Sequence, residues 1–234
     1  MLSIAQDYKK IKLMEKWQQL MYCTKVTNEL MIEQLLTSGV LRTPRIQSAL
    51  RNVDRRQFVP SNHTDQAYDD IPLPIGYGQT ISQPWTVVFM LELLQPRERD
   101  HCLDVGCGSG WAAALLSVLV GPRGHVTTVE RIPQLVSLAQ QHLQSYRNVS
   151  IARGDASRGW PPDAPYDIIH VAAATSVVAV EMKDQLAVGG RLIIPLGEYE
   201  QELALITKIS DNRYTERRYS GFQFVPLISK DTIS

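Results

Sequence analysis

Residues 103–111 read Leu-Asp-Val-Gly-Cys-Gly-Ser-Gly-Trp, an apolar strand that ends in a GxGxG turn and opens directly into a helix. Glycines let a ligand approach the backbone closely, and the N-terminus of the following helix exposes unpaired N–H groups. The segment therefore predicts a nucleotide-type ligand at this strand end, held by Gly106, Gly108 and Gly110. Asp104 lies two residues before the first glycine and is expected to face the same ligand.

On the C-terminal side of this turn, short apolar runs alternate with segments of helical length, which is typical of a parallel α/β sheet. The predicted strands are His101–Gly106, His125–Glu130, Val149–Ala152, Tyr166–Ala172, Gly190–Pro195, Gln201–Ile209 and Tyr219–Val225. The predicted helices between them are Trp111–Val120, Pro133–Tyr146 and Val178–Ala187. No helix separates the last two strands, so at least one is expected to run antiparallel. We predict an α/β fold with a doubly wound, mostly parallel sheet of about seven strands and a helical N-terminal lobe.

The N-terminal part of the chain has a different pattern. No proline or glycine occurs from Ser3 to Thr37, and apolar residues recur at roughly helical spacing, which predicts one or two helices. Four lysines in this segment are expected to form a solvated face: Lys9, Lys10, Lys12 and Lys16. A helix is predicted to begin at Thr43-Pro44 and to continue to about Val53. The stretch from Phe58 to Pro84, rich in proline and glycine, is predicted to be an extended functional loop.

Composition excludes several classes of function. Lys plus Arg and Asp plus Glu both total 24, so the net charge is zero and neither nucleic acid nor an anionic membrane is an expected partner. No apolar run approaches the roughly 20 residues that span a bilayer. The three cysteines form no CxxC pair, which predicts neither a disulfide framework nor a metal site. We expect a cytoplasmic protein.

Two further acids end the next two strands. Glu130 ends the second strand twenty residues beyond Gly110, where an acidic side chain can accept both hydroxyls of a ribose. Asp155, followed by Ala156, ends the third strand, within reach of an adenine edge. Because open α/β sheets bind ligands at their carboxyl edge, these positions predict one nucleoside site.

Two ligands compete for that site. The spacing Gly108-x-Gly110-x-x-Ala113 formally satisfies the dinucleotide fingerprint and keeps an NAD site open. However, the turn already starts at Gly106, and the acid at Asp104 repels a pyrophosphate. An acid there suits the ammonium of an amino-acid-bearing ligand, which favours S-adenosylmethionine.

Several separated segments resemble the protein-L-isoaspartate O-methyltransferase family, over roughly Leu35 to Leu227. The most specific is Tyr68 to Pro84, YDDIPLPIGYGQTISQP, which is similar to the family's substrate loop nearly residue for residue. Further similar segments are DRRQFVP at 54–60, GWP at 159–161, APYD at 164–167, QL at 185–186, GGR at 189–191 and FVPL at 224–227.

The resemblance implies a Rossmann-like, S-adenosylmethionine-dependent carboxyl O-methyltransferase that acts on isoaspartyl residues of damaged proteins. The methyl ester formed on the α-carboxylate loses methanol to a succinimide, whose hydrolysis returns some normal aspartate. The implied division is an N-terminal helical extension at 1–38, a helical and substrate-loop lobe at 39–100 and a donor-binding body at 101–234, together one compact domain. A monomer is expected.

The resemblance also implies roles for individual residues. The methionine part of the donor is expected near Ser82, Asp104 and Gly106, and Gly108 and Gly110 are expected to bind the donor as well. The ribose is expected on Glu130, and the adenine near Asp155 and Ala156. The carboxylate that receives the methyl group is expected on Ser82, the one residue given a catalytic role, with Thr80 and the backbone around Ile81 and Ala173.

The chain departs from the family pattern near the substrate mouth. Ala174, Thr175, Ser176 and Ala179 stand where the family usually has prolines or a more rigid loop, and Gln223 replaces a common arginine. These departures keep two alternatives open, a methyltransferase for a dedicated peptide carboxylate in a biosynthetic pathway and a non-catalytic donor-binding module.

The proposed chemistry requires no general base, since an α-carboxylate with a pKa of about 3.5 is already ionised at neutral pH. No histidine is therefore expected to be catalytic, and His170, inside an apolar strand, is expected to be structural.

Overall fold

The computed structural model describes residues 26–228. The α-helices of this part are α1 Asn28–Thr37, α2 Pro44–Asn52, α3 Pro84–Leu94, α4 Trp111–Val120, α5 Pro133–His142 and α6 Val180–Asp184. Helices α1 and α2 confirm the helical predictions that fall on them, with Thr43 at the N-cap position of α2. The predicted helix before residue 26, with its four lysines, lies outside the described residues. No described helix has the length and apolar character needed to cross a membrane.

The described part of the chain contains nine β-strands. They are β1 Leu73–Gly76, β2 Gln79–Ile81, β3 His101–Val105, β4 His125–Glu130, β5 Val149–Arg153, β6 Tyr166–Val171, β7 Leu186–Leu196, β8 Gln201–Ser210 and β9 Arg213–Phe222. Strands β1 and β2 form a separate antiparallel hairpin, and the other seven form one sheet in the order β5-β4-β3-β6-β7-β8-β9. Strand β8 pairs antiparallel with both its neighbours, whereas the remaining neighbours are parallel. The predicted seven-stranded, mostly parallel sheet is confirmed.

The strand order places the expected ligand site. From β3 the chain builds outward to β4 and β5, then returns to place β6 on the other side of β3. This reversal is a topological switch point, where open α/β sheets leave a crevice beyond the carboxyl ends of the strands. The glycine turn at 106–110 follows β3 directly at that crevice.

Two predicted boundaries are wrong around β7. The helix expected over Val178–Ala187 occupies only Val180–Asp184, and β7 starts at Leu186 rather than Gly190. The reason is an irregularity of the β6–β7 pairing, which lets Gly189 and Gly190 lie within the strand instead of before it. A Cβ at Gly190 would lie 2.9 Å from the carbonyl oxygen of Tyr166, so only glycine allows this approach.

Other differences have simple causes. Helix α5 ends at His142 instead of Tyr146, and β9 spans Arg213–Phe222 instead of Tyr219–Val225. Strand β9 is an edge strand with many exposed, charged residues, so it lacks the apolar pattern that would mark its start. Helix α3 has no counterpart among the predicted elements. Most of its residues are buried, so its apolar residues do not recur at the spacing that marks one face of a helix.

The segment from Phe58 to Pro84 is more ordered than the predicted extended loop. A short 3₁₀-helix spans Ser61–Gln66, and the β1–β2 hairpin follows, with Leu73 opposite Ile81. Tyr77 forms the tip of the hairpin with a positive φ of 56° and is 58% exposed. The hairpin therefore projects the segment that was expected to bind substrate over the carboxyl edge of the sheet.

The central strands separate two apolar cores because side chains alternate between the faces of a sheet. Cys102, Val126 and Ile168 belong to the larger core, which also contains residues of α1 to α5. Val105 and Val129 belong to the smaller core, which is covered by Met182 of α6. The division of the chain at residues 38 and 100 stays a prediction.

Candidate active site

The glycine turn is held by its own backbone. Gly106 N donates to Val129 O at 2.9 Å, and Gly110 N donates to Cys107 O at 2.9 Å. Gly108 has a φ of +54°, and a Cβ there would lie 3.1 Å from Cδ1 of Ile75 in the hairpin. Glycine at this position thus allows both the left-handed turn and the close packing of the hairpin on it.

Glu130 ties the end of β4 to this turn. Its carboxylate accepts from Gly108 N at 3.1 Å through Oε2, and from Arg131 N and Ile132 N at 2.8 and 2.9 Å through Oε1. The residue is 6% exposed and lines a cavity at the carboxyl edge of the sheet. These three donors occupy three of the roughly four lone-pair sites of the carboxylate, which leaves Oε2 able to accept from a ligand hydroxyl as well.

This cavity, called here the donor cavity, has a volume of about 250 Å³. The structure brings five predicted site residues together in its wall: Gly106, Glu130, Asp155, Ala156 and Ala173. Asp155 is fixed at the end of β5, where its Oδ1 accepts from Ser157 N at 2.9 Å. The cavity is therefore built at the ends of three successive strands, as the spacing of the acids predicts.

Two distant segments close the donor cavity and have no predicted role in it. They are the hairpin residues Tyr77 and Gln79 and the C-terminal residues Pro226, Leu227 and Ile228. Leu227 N donates to Ala174 O at 2.6 Å, and Arg131 Nη1 donates to Ile228 O at 3.0 Å. No local pattern marks these residues as ligand-facing, although 226–227 belong to a segment that resembles the family.

Asp104 is the predicted site residue whose placement differs most from expectation. It is fully buried, and the cavities described here do not include it among their lining residues. Its Oδ2 accepts from Thr128 Oγ1 at 2.7 Å, and its Oδ1 lies 2.7 Å from Nδ1 of His170. Asp104 pairs in register with both residues, so the three side chains share one face of the sheet. Gly110 also lies outside the cavity walls and forms the N-cap of α4.

A second cavity, called here the peptide cleft, lies between the hairpin, α3 and the end of β9 and has a volume of about 680 Å³. The predicted residues Thr80 and Ser82 line it, as does Gln223. Trp85 forms part of its wall and stacks on Phe89 with ring centroids 5.0 Å apart. Ala172, one residue before the predicted Ala173, faces this cleft, whereas Ala173 lies on the donor side.

A third cavity of about 40 Å³, the junction cavity, has wall residues in common with each of the two larger cavities. It shares Gly106 with the donor cavity and Thr80, Ser82 and Ala172 with the peptide cleft. Ile81 and Gly108 line it as well. The structure thus places Ser82 in the walls of both the junction cavity and the peptide cleft, and Ile81 in the wall of the junction cavity.

Arg55 holds the substrate segment in this position, and sequence reasoning missed its role. The fully buried guanidinium donates to Ser82 O at 3.0 Å, to Ile71 O at 3.2 Å and to Ala67 O. It also lies 5.3 Å from the centroid of the Trp111 ring at the start of α4. Burial lowers its pKa to about 10, an effect that Asp70 and Asp69 oppose, so it remains charged at neutral pH. The one feature of the sequence that could have drawn attention to Arg55 is its position in segment 54–60, which resembles the family.

The site does not provide a thiol nucleophile. Burial is the main cause that raises the pKa of Cys107, beside the glycine turn, and of Cys102 in β3. Within residues 26–228, no group of three or more His, Cys, Asp and Glu side chains could hold a metal ion.

A doubly wound sheet whose first strand ends in this glycine turn, with acids at the next two strand ends, defines a Rossmann-like enzyme that binds a nucleoside-bearing cofactor. A family model described as protein-L-isoaspartate(D-aspartate) O-methyltransferase matches residues 26–232. The chain belongs to this family. The predicted fold class, family, function, enzyme class and cofactor are thereby confirmed.

Relatives with the same name support the assignment. A protein-L-isoaspartate O-methyltransferase of Methanopyrus kandleri is 44% identical over 207 residues, which cover 87% of this chain and 92% of the relative. One of Methanothrix thermoacetophila is 48% identical over 188 residues, which cover 80% of this chain and 89% of the relative.

Solved structures agree in fold. A protein-L-isoaspartate O-methyltransferase structure aligns with a TM-score of 0.79 at 26% identity, covering 87% of this chain and 66% of the other. A Plasmodium falciparum structure described as a member of the same family, in complex with S-adenosyl-L-homocysteine, aligns with a TM-score of 0.78 at 24% identity. That alignment covers 87% of this chain and 99% of the other and supports the fold alone.

Proposed function

We propose that this chain methylates the α-carboxylate of isoaspartyl residues in damaged proteins, with the donor in the donor cavity and the peptide in the peptide cleft. The observation that carries the proposal is that the junction cavity shares Gly106 with the donor cavity and Ser82 with the peptide cleft. A transfer between two large reactants requires such a shared point, because the reacting atoms must come within contact distance and be aligned.

The residues of the donor cavity fit S-adenosylmethionine. Glu130 offers carboxylate oxygens at the end of β4 for the ribose, and Asp155 with the small Ala156 forms the wall expected for adenine. When bound, S-adenosylmethionine supplies a methyl group activated by a positive sulfonium. We assign its methionine end to the space near Gly106, Gly108 and Ser82, since these residues line the junction cavity.

The acceptor side needs orientation and exclusion of water rather than proton transfer. The acceptor carboxylate is ionised at neutral pH and is already the nucleophile. We assign Ser82 and the backbone of Thr80 and Ile81 to hold it, and the buried Ile81 side chain to keep water from the junction cavity. Alignment of the reacting groups can lower the barrier by roughly 7–11 kcal/mol.

Transfer of a labelled methyl group from S-adenosylmethionine to matched isoaspartyl and aspartyl peptides tests the proposal, with base-labile methanol release as the readout. We expect label on the isoaspartyl peptide alone. Labelling of neither peptide, by a protein that binds the donor, would contradict the proposed substrate and favour a dedicated carboxylate or a binding module.

We also propose that the chain acts as a monomer, without nucleic acid, in a reducing cytoplasm. Its net charge of zero supports the absence of a nucleic-acid partner, and the buried free thiols of Cys102 and Cys107 fit a reducing compartment. Light scattering after size exclusion should give one chain mass, and a dimer would contradict the proposed state.

A further inference from the structure

A buried row of polar side chains crosses the sheet beneath the glycine turn. Thr128, Asp104 and His170 lie in register on β4, β3 and β6. The side chains of His170 and Asp104 are 2% and 1% exposed, and Nδ1 lies 2.7 Å from Oδ1. Thr128 Oγ1 donates to the other carboxylate oxygen at 2.7 Å. An ionised carboxylate can only accept, so Nδ1 of His170 carries the hydrogen and the ring is fixed in one orientation.

The opposite ring nitrogen has no such partner. Nε2 of His170 is buried without a hydrogen bond among the described residues, and His170 lines the junction cavity. Trp111 lines the same cavity, and its buried Nε1 also has no partner in the described part of the chain. Buried polar atoms in native proteins are nearly always hydrogen-bonded, so two exceptions around one cavity mark a place for a polar ligand group.

The size of the junction cavity limits that group. Its volume is about 40 Å³. One water occupies roughly 10–15 Å³ of a cavity. The junction cavity therefore has room for a polar group of a few atoms, but not for a whole nucleoside.

The polarity of these atoms identifies the group. Trp111 Nε1 can only donate, whereas Nε2 of His170 accepts in the neutral ring that carries its single hydrogen on Nδ1. Among residues 26–228, His170 is the one partner within ion-pair distance of Asp104. The pair therefore places an acidic group in the interior, and a cation near the pair would stabilise it. The α-amino-acid end of the methyl donor offers both an ammonium and a carboxylate, whereas the isoaspartyl acceptor group offers only a carboxylate.

We propose that His170 binds the methyl donor, with Nε2 accepting a hydrogen bond from the donor's α-ammonium, and that Asp104 acts on the donor as a positioning residue through His170. The inference rests on the proposed function. It replaces two sequence-based expectations, a purely structural His170 and a direct contact of Asp104 with the ammonium.

Calorimetry with two ligands tests the proposal: S-adenosylhomocysteine and its analogue in which hydrogen replaces the α-amino group. The wild-type chain should bind the amino-bearing ligand more tightly. His170→Phe should reduce this preference by about tenfold, the value of one hydrogen bond to a charged group. An unchanged ratio of the two Kd values in His170→Phe would overturn the proposal.

Thr128→Val is the matched control. It removes the other hydrogen bond to the Asp104 carboxylate at a position away from the cavity wall. Its preference between the two ligands should stay within about twofold of wild type, since no ligand hydrogen bond is lost. A loss of preference as large as that of His170→Phe would show a general effect of the buried row and would contradict the specific contact.

A measurement on the unchanged chain decides the question if His170→Phe does not fold. The ¹⁵N resonance of His170 Nε2 should shift on addition of S-adenosylhomocysteine and much less with the deamino analogue. Equal shifts would refute the contact. Methylation of the isoaspartyl peptide by the same wild-type sample keeps the two proposals separate, because its absence contradicts the proposed function and not the ligand contact.

Discussion

The donor cavity and the peptide cleft each share a wall residue with the junction cavity, Gly106 and Ser82, but are built in different ways. The donor cavity follows from the sheet, since Gly106, Glu130 and Asp155 lie at or just after the carboxyl ends of the parallel strands β3, β4 and β5. The peptide cleft joins the β1–β2 hairpin to the end of β9, and one buried side chain, Arg55, holds the hairpin segment in place. Strand order thus shapes the donor cavity, whereas a long-range hydrogen-bond cluster shapes the peptide cleft.

Among the substitutions that test this difference between the cavities, removal of Arg55 should have the largest effect on stability and on peptide binding. Arg55→Met leaves the carbonyl oxygens of Ala67, Ile71 and Ser82 without their donor, and each unsatisfied buried acceptor costs about 1–3 kcal/mol. We expect the free energy of unfolding in urea to fall by about 3 kcal/mol. Peptide KM should rise more than donor Kd.

The exposed Arg51, which pairs with Glu29 on the surface, provides the control. Arg51→Met should leave the urea midpoint and both affinities unchanged, since exposed ion pairs contribute little. Equal effects of the Arg55 and Arg51 substitutions would show that the cleft does not depend on the buried guanidinium.

Loss of the Glu130 carboxylate should damage the donor side selectively. Glu130→Ala removes the acceptor for Gly108 N and for the proposed ribose hydroxyls, so calorimetry should show donor Kd rising about 100-fold, equivalent to two lost hydrogen bonds to a charged group. Glu130→Gln, which keeps one carbonyl oxygen, should lie between wild type and Glu130→Ala. An unchanged donor affinity in Glu130→Ala would remove Glu130 from the site.

Ser82 should affect turnover more than either binding step. Ser82→Ala is expected to lower kcat about tenfold, which corresponds to the loss of one hydrogen bond to a charged group. The donor Kd should stay within about twofold of the wild-type value. Steady-state kinetics with the isoaspartyl peptide, together with donor calorimetry, gives both values. A wild-type kcat would place the acceptor carboxylate elsewhere in the cleft.

The smallest effect is expected at Gln223, an exposed residue of the cleft. Gln223→Arg adds a cation there, so KM for an isoaspartyl peptide with a neighbouring glutamate should fall about threefold at low salt. Since exposed charges are screened, the gain should disappear at high ionic strength. A gain that persists in high salt, or one equal for a peptide with neighbouring lysine, would argue against a charge contact.

The same contrast explains what could be predicted from the sequence. The turn after β3 and the acids at Glu130 and Asp155 were predictable because glycine, charge and strand period occur together within short segments. The burial of Asp104 was not, since it depends on its register with Thr128 and His170 on two other strands. The role of Arg55 depends on carbonyl groups that fold back onto it, and no pattern in the sequence around it encodes them.

The limits of helices and strands were likewise predictable only where a local pattern marks them. Helix α4 and strand β4 coincide with their predicted limits because their apolar patterns are regular. Strand β9 was misplaced because its polar edge lacks that pattern, and β7 because two glycines lie within a strand irregularity.

A crystal structure with S-adenosylhomocysteine and an isoaspartyl peptide tests most directly the central claim, that donor and acceptor meet beside Ser82 at the junction of two separately built cavities. We predict the nucleoside between Glu130 and Asp155, and the peptide in the cleft with its α-carboxylate at Ser82. A peptide bound outside the cleft, or a carboxylate remote from Ser82 while the nucleoside occupies the donor cavity, would contradict it.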